Sequence, residues 1–136
     1  MLNSKVANEV KLFSGMKKII QAYSEKYKLA IVSSNSKENI ELFLKRNKIL
    51  GFFELIYSDS SIFGKAKVIK HMCQKNNIHP EEIIYIGDED RDVAACKKLK
   101  ITVIAVTWGY NSKNHLMKSK PDFLVETPEQ LLKAAL

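Results

Sequence analysis

Two carboxylates with helical spacing follow a short apolar run in the segment IIYIGDEDRDVAACKKL, residues 83–99. Asp88 comes directly after Gly87, and Asp92 lies four residues later, one turn into the next predicted helix. Both carboxylates can therefore point at one place, and Gly87 permits a sharp backbone turn beneath them. Magnesium prefers one or two protein carboxylates together with water and phosphate oxygens. The pattern predicts a Mg²⁺ site for phosphate chemistry, because a helix cap at Asp88 would not account for the second carboxylate.

Two other segments carry groups that suit a bound anion. Ser33, Ser34 and Asn35 follow an apolar run, and their hydroxyls and backbone N–H groups at a helix start can bind phosphate. The same residue types are also ordinary helix caps. Lys65 follows Gly64 at another predicted helix start, where its ammonium can neutralise a phosphoryl group and the charge that develops during transfer. A surface lysine is the alternative interpretation of Lys65.

The elements that must position these residues alternate along the chain. Apolar runs of strand length predict five strands: KLAIVSS (28–34), FFELIYSD (52–59), EIIYIGD (82–88), ITVIAV (101–106) and DFLVE (122–126). Helical patterns are predicted between them, one starting with Asn35 as N-cap and Glu38 three residues on. The third strand is expected to be buried on both faces. This order predicts a Rossmann-like three-layer α/β/α fold with a mostly parallel sheet, and ligands in such folds bind beyond the carboxyl ends of the strands.

The motif order IVSSN, GK and IGDEDRDVAA resembles motifs II, III and IV of the haloacid dehalogenase-like (HAD) phosphohydrolases. The segments AVTWGYNS and KPDFLVETPEQLL resemble the closing segments of the phosphoglycolate-phosphatase-like branch, so that the resemblance covers roughly residues 12–136. It implies that Ser33 contacts phosphate and that Lys65, as a catalytic residue, bridges phosphate and nucleophile. It further implies that Asp88 ligates Mg²⁺ and that Asp92 supports the metal site.

One part of the family pattern is missing. Motif I of the family is an apolar strand ending DxDx(T/V), whose first aspartate is the nucleophile and whose second handles the leaving-group proton. The 32 residues that precede Ser33 contain no aspartate, and the local match over residues 90–93 lies in the motif IV helix. We expect one partial HAD-like core domain over residues 1–136 without a cap domain, and little or no phosphatase activity from this chain alone.

The resemblance places the motif I strand at the centre of the sheet, between the strands of motifs II and IV. Three arrangements could replace it. Residues 4–13, in which Val6, Val10 and Leu12 roughly alternate, could supply a strand. The two flanking strands could pair directly, or a partner chain or second copy could complete the sheet. Direct pairing or a partner is slightly favoured, because SKVANEV is more typical of helix or coil.

Two functional hypotheses stay open. The chain is either a portion of a HAD phosphatase, or a non-catalytic HAD-derived module that binds a phosphorylated ligand or a protein. A response-regulator-like receiver fits less well, because no aspartate ends an internal strand ahead of the hydroxyl, and a dinucleotide-binding domain lacks its GxGxxG motif. Trp108 and Tyr110 either flank the site or cover the edge of the core.

Composition limits the partners. The 136 residues carry a formal charge of +7, yet of 22 basic residues only Arg46 and Arg91 are arginine, and the lysines are spread along the chain. This favours a solvated lysine surface over a nucleic-acid partner, while the positive field would attract a small phosphorylated molecule. No apolar run is long enough for a bilayer, the N-terminal segment lacks a signal-peptide core, and Cys73 and Cys96 form no metal or disulfide pattern. We expect a cytoplasmic protein without a membrane partner.

Overall fold

The computed structural model describes residues 15–58, 64–109 and 111–135, and helices alternate with strands along these ranges. The helices are α1 (Met16–Ser24), α2 (Lys37–Arg46), α3 (Lys65–Asn76), α4 (Asp90–Leu99), α5 (Lys113–Lys118) and α6 (Pro128–Ala135). The strands are β1 (Leu29–Ser33), β2 (Phe53–Ser58), β3 (Ile84–Gly87), β4 (Thr102–Val106) and β5 (Phe123–Val125). Five strands were predicted and all five are present, with ends that differ by one or two residues. No helix in the described ranges combines the length and apolar character needed to cross a membrane.

The strands form two parallel sheets. The first contains β1 and β2, and the second has the order β3-β4-β5. Every pairing is parallel, with Val32 opposite Tyr57 in the first sheet and Tyr85 opposite Val103 in the second. Helices cover both faces, so the predicted Rossmann-like three-layer α/β/α class is confirmed.

The hydrophobic core lies on both sides of the sheets. On one side, Val32 of β1 and Tyr85 of β3 pack in one cluster with side chains from α3, α4 and α5. On the other side, α1 packs on β4, β5 and α6 through Ile19 and Leu131, and Ile20 joins β1 and α2. Helices of both layers therefore bridge the two sheets.

Direct pairing of the two strands that flank the missing motif I strand, one of the two arrangements that the sequence slightly favours, is wrong. Within the described residues, β1 pairs with β2 and β3 with β4, but β1 and β3 do not pair with each other. A cavity of about 480 Å³ separates them and is lined by Leu29, Ala30 and Val32 of β1, by residues 84–86 of β3, and by α1 and α3. Paired strands must approach to about 4.8 Å. Helices that pack on both sheets hold them too far apart for that. Residues 4–13 lie outside the described residues, so the alternative in which they supply the missing central strand stays a prediction.

Two local predictions also need correction. The N-cap of α2 is Ser36 and not Asn35, because Ser36 is in the extended conformation and its hydroxyl accepts from the backbone N–H of Asn39. β3 is not buried on both faces, since Ile84 is 39% exposed. Among the described strands, β3 lies at the edge of its sheet, beside the cavity and with β4 as its neighbour.

The Tyr23 hydroxyl makes stability sensitive to alkaline pH. It donates to the carbonyl oxygen of Leu131 at 2.5 Å and thereby joins α1 to α6. Burial, with Tyr27 as a second cause, raises the pKa of Tyr23 to about 12. Because the folded pKa exceeds the unfolded value near 10, this contribution is complete below pH 10 and is lost as pH rises towards 12. We expect the free energy of unfolding, from urea titrations, to fall over that range and to fall less in Tyr23→Phe. An equal fall of the free energy of unfolding in both proteins would show that the Tyr23 hydroxyl is not the group responsible.

Candidate active site

A buried ion pair joins the first turns of two helices at the carboxyl edge of the sheets. The Lys65 ammonium, at the start of α3, lies 2.6 Å from Oδ1 of Asp92, in the first turn of α4. The side chains are 10% and 2% exposed. The other Asp92 oxygen, Oδ2, accepts from the backbone N–H of Glu89 at 3.2 Å. Asp92 is thus held from two sides, and the structure brings together two residues that the sequence predicted for one site.

Asp88 is buried in the turn between β3 and α4, with 4% of its surface exposed. The backbone N–H of Asn111 donates to the Asp88 carbonyl oxygen at 3.0 Å, and the Asn111 side chain accepts from the backbone N–H of Asp90 at 2.8 Å. Asn111 thereby ties the loop after β4 to the turn after β3. Asp88 is not the helix N-cap, because that position belongs to Glu89.

Glycines leave room for both aspartates. A Cβ atom at Gly87 would lie 2.6 Å from Oδ2 of Asp92, and one at Gly109 would overlap the Asp88 carboxylate. Real Cβ atoms essentially never approach so closely. Only glycine at these two positions lets the backbone pass beside the carboxylates in their present places.

The turn concentrates negative charge away from water. Asp88, Glu89 and Asp92 are all buried, at 4%, 2% and 2% exposure. Arg91 lies 2.7 Å from Glu89, and the hydrogen bond to that carboxylate raises the pKa of Arg91. Burying carboxylates is costly without cations. The ion pairs of Lys65 and Arg91 offset part of this cost, and a bound divalent cation would offset more.

The Tyr85 hydroxyl is buried beneath this turn and, within the part of the chain that the structure describes, has no hydrogen-bond partner. Burial, followed by the nearby Asp92 carboxylate, raises the pKa of Tyr85 well above its usual value. The phenol therefore keeps its proton at neutral pH. It stays a potential donor beside the acidic turn.

The segment after β1 forms a compact turn. Ser33 is buried, and its Oγ accepts from the backbone N–H of Asn35 at 3.2 Å. The Ser58 hydroxyl at the end of β2 donates to the Asn35 carbonyl oxygen at 2.5 Å. Ser34 is exposed. The turn lies at the carboxyl edge of the first sheet, and its phosphate-binding role is a prediction that these contacts do not test.

The donor set fits a hard cation only in part. Within the described ranges, no group of three or more His, Cys, Asp or Glu side chains is arranged to hold a metal. Mg²⁺ needs only one or two protein carboxylates when water and phosphate complete its shell. Asp88 and Asp92 are the carboxylates that could serve such a cation, and both oxygens of Asp92 already accept hydrogen bonds, one from the Lys65 ammonium and one from the backbone N–H of Glu89.

Sequence reasoning missed three residues of this site. Glu89 caps α4, Tyr85 lies beneath the acidic turn, and Asn111 links the two loops. Glu89 could have been recognised, since with Asp92 three residues on it forms an acidic capping pair. Asn111 had no local signal. Of the two aromatic residues left open, Trp108 packs against the core cluster of α1, β4 and β5, and Tyr110 lies outside the described residues.

The family of the chain follows from comparison with known proteins. A profile of the haloacid dehalogenase-like hydrolases matches residues 1–106, which is most of the chain. The protein therefore belongs to the haloacid dehalogenase-like hydrolase family. Within it, the similarity lies with the phosphoglycolate-phosphatase-like branch: the chain is 36% identical over 126 residues to phosphoglycolate phosphatase from Synechococcus elongatus. It is also 31% identical over 125 residues to pyrophosphatase PpaX from Listeria monocytogenes.

Solved structures agree with this assignment. A putative phosphatase from Clostridium difficile superposes with a TM-score of 0.88 at 26% identity, over 96% of this chain and 63% of its own. The sequence relatives are covered to a similar extent. The alignments include 92% of this chain but 59% of the Synechococcus protein, and 88% of this chain but 57% of the Listeria protein. The chain thus spans less than two thirds of the length of these relatives.

Proposed function

We propose that this chain is the Mg²⁺- and phosphate-binding part of a phosphatase of the phosphoglycolate-phosphatase type, and that it depends on an aspartate nucleophile from another segment. The observation that carries the proposal is the buried contact between Lys65 and Asp92, with Asp88 in the same turn. It joins the residues of motif III to those of motif IV at the edge where ligands of parallel sheets bind. The names of the sequence relatives support phosphoglycolate and pyrophosphate as the first substrates to test.

Each residue of the site has a task in this proposal. The Lys65 ammonium neutralises charge on the phosphoryl group, and Asp92 holds that ammonium in place from the first turn of α4. Ser33 and the backbone N–H groups after β1 bind phosphate oxygens at a helix start. Asp88 ligates Mg²⁺ and Asp92 supports the site. A bound Mg²⁺ would supply charge stabilisation on the phosphoryl oxygens.

The nucleophile is the part that the sequence does not supply. No aspartate precedes Ser33, and Asp88, which the proposal assigns to the metal, cannot serve both roles. Removing a covalent nucleophile costs on the order of 10⁴–10⁶ in rate. Turnover by this chain alone should therefore be negligible even when Mg²⁺ and phosphate bind.

The test measures binding and turnover separately. Mg²⁺ binding is followed by calorimetry and by the rise in Tm, and hydrolysis is assayed with an aryl phosphate, phosphoglycolate and pyrophosphate, with Mg²⁺ or EDTA. We expect saturable Mg²⁺ binding that Asp88→Asn weakens by roughly tenfold or more, because a direct carboxylate ligand is lost. We expect hydrolysis at the background rate.

Asp90→Asn is the matched control. This substitution removes one negative charge, as Asp88→Asn does, but at a position two residues further along the chain. The Asp90 side chain is 44% exposed and pairs with His115, so Mg²⁺ binding should change little. If both variants weaken Mg²⁺ binding equally, the effect of Asp88→Asn reflects the lost negative charge and not the loss of a direct ligand. Mg²⁺-dependent turnover in the ordinary range, roughly 1–10³ per second, that Asp88→Asn abolishes would refute the dependence on another segment.

A further inference from the structure

The Tyr85 hydroxyl is a buried polar group that has no task in the proposed site. Its oxygen is shielded from water and, in the described ranges, has no hydrogen-bond partner. Such a hydroxyl costs free energy, because it bonds to water in the unfolded chain. Buried polar groups are nearly always paired in folded proteins. A hydroxyl kept at this cost suits a hydrogen bond that forms only when a ligand binds.

Tyr85 lies on the core side of the Asp92 carboxylate. The tyrosine belongs to β3, three residues before Asp88, and packs in one hydrophobic cluster with Val93 and Cys96 of α4. Cys96 follows Asp92 by four residues, so both side chains lie on the same face of that helix. Burial and then the Asp92 carboxylate, ahead of every other nearby charge, raise the pKa of Tyr85. The phenol therefore faces Asp92 with its proton in place.

Asp92 depends on a donor that the proposed function also uses elsewhere. Its Oδ1 accepts from the Lys65 ammonium at 2.6 Å, and its Oδ2 accepts from the backbone N–H of Glu89 at 3.2 Å. A phosphoryl group beside Lys65 would attract the same ammonium through its negative oxygens. Asp92 would then lose part of the bond that offsets its burial. A carboxylate oxygen can accept a second hydrogen bond, so a new donor can compensate this loss.

We propose that Tyr85 is a positioning residue, whose hydroxyl donates a hydrogen bond to Asp92 when Lys65 turns towards a bound phosphoryl group. This inference rests on the proposed function, in which Lys65 neutralises that group. The new bond holds Asp92 in place, so that the carboxylate still orients the ammonium. It is a charge-assisted bond, which is stronger than one between neutral groups. The proton stays on Tyr85 throughout.

This arrangement couples the hydroxyl to phosphate affinity. The Tyr85 hydroxyl has a partner in the phosphate-bound state and lacks one in the free state, so its bond favours the bound state. Removing the hydroxyl should therefore weaken phosphate binding without destabilising the free protein. A hydroxyl with a purely structural role would show the reverse pattern, with a lower Tm and an unchanged affinity.

Tyr85→Phe tests the proposal, because it removes the hydroxyl and keeps the ring. The probe is inorganic phosphate, added to the full chain in the presence of Mg²⁺ and followed by calorimetry. We expect binding to weaken by about tenfold, as for the loss of a hydrogen bond to a charged group. Without phosphate, Tm should equal or exceed that of the unmodified chain.

Tyr57 offers a matched control on the same side of the sheets. It is a half-buried tyrosine of β2 that packs against the same cluster, and its hydroxyl accepts from the Asn76 side chain at 3.0 Å. Asn76 ends the 12-residue helix α3, about 16 Å from Lys65 at its start. Tyr57→Phe should lower Tm by about 2–5 °C and leave phosphate binding within about twofold.

Nuclear magnetic resonance can observe both ends of the new bond. The ¹³C signals of tyrosine Cζ and aspartate Cγ are assigned by their loss in Tyr85→Phe and in Asp92→Asn. Saturation with phosphate and Mg²⁺ should shift both signals in the unmodified chain. In Tyr85→Phe the shift of the Asp92 signal should be smaller, because only the effect of Lys65 remains. An equal shift of the Asp92 signal in both proteins would mean that the hydroxyl does not donate to Asp92, and would overturn the proposal.

The role of Tyr85 and the proposed function fail on different results. Equal phosphate affinity of Tyr85→Phe and the unmodified chain would overturn the role of Tyr85 and leave the proposed function standing. A lower Tm of Tyr85→Phe without phosphate would do the same, since the hydroxyl would then already have a partner. If the unmodified chain does not bind phosphate in the presence of Mg²⁺, the proposed function fails and the role of Tyr85 fails with it.

Discussion

Lys65→Met is expected to lower the free energy of unfolding by about 3–5 kcal/mol, the cost of breaking a buried ion pair by removing one partner. Methionine keeps the length of the side chain but leaves the 2% exposed Asp92 carboxylate without the ammonium that lies 2.6 Å away. The remaining backbone N–H of Glu89 cannot compensate a full buried charge. Urea unfolding followed by circular dichroism would measure the change.

Two further variants make this prediction specific. Lys28→Ala breaks the 3.5 Å pair with Glu54, whose partners are 66% and 58% exposed, and should change the same free energy by about 0.5 kcal/mol or less. In the double variant with Asp92→Asn the uncompensated charge is gone. That protein should therefore be more stable than Lys65→Met alone. Strict additivity of the two substitutions would show that the pair is not coupled in the way the structure implies.

Gly87→Ala is expected to disrupt the same site from the backbone side. The new Cβ would lie 2.6 Å from Oδ2 and 2.7 Å from Cβ of Asp92, and the second contact is the more serious because that atom is attached to the helix backbone. The start of α4 must shift, which weakens the bonds of Asp92 to Lys65 and Glu89. We expect a loss of about 1–3 kcal/mol in the free energy of unfolding and weaker Mg²⁺ binding.

Gly51→Ala is the matched substitution for this experiment. Its Cβ would have nothing within 4 Å, so the change in the free energy of unfolding should stay within about 0.5 kcal/mol. Thermal and urea unfolding of both variants beside the unmodified chain would give the comparison. If the two variants are equally stable, Asp92 can move away from the new Cβ without any loss of free energy of unfolding. That result would contradict the packing described for the first turn of α4.

The elements of this fold could be predicted from the sequence because their signals are local. Each strand is a short apolar run, each helix has its own periodic face, and the residues after β1 and β3 are polar where parallel sheets bind ligands. Lys65, Asp88 and Asp92 could be selected for the same reason. Their type and position at element ends sufficed, with the family resemblance to assign roles.

Contacts between distant elements could not be predicted in this way. The separation of β1 from β3 depends on how α1 and α3 pack across both sheets, which no single segment encodes. The exposure of Ile84 follows from that separation, although its own sequence context indicates a buried strand. The bond from Asn111 to the turn before α4 connects positions 21 residues apart. The choice of Ser36 over Asn35 as N-cap depends on one backbone torsion within a run of similar residues.

The contact between Lys65 and Asp92 also has a mechanical consequence. Of the ion pairs between described residues, it alone connects a helix that follows the first sheet to a helix that follows the second. The pair acts as a charged tether between the two halves, in addition to the helices that pack across both sheets. A partner that draws the ammonium away would loosen the tether, and a partner that wedges the halves apart would release the ammonium.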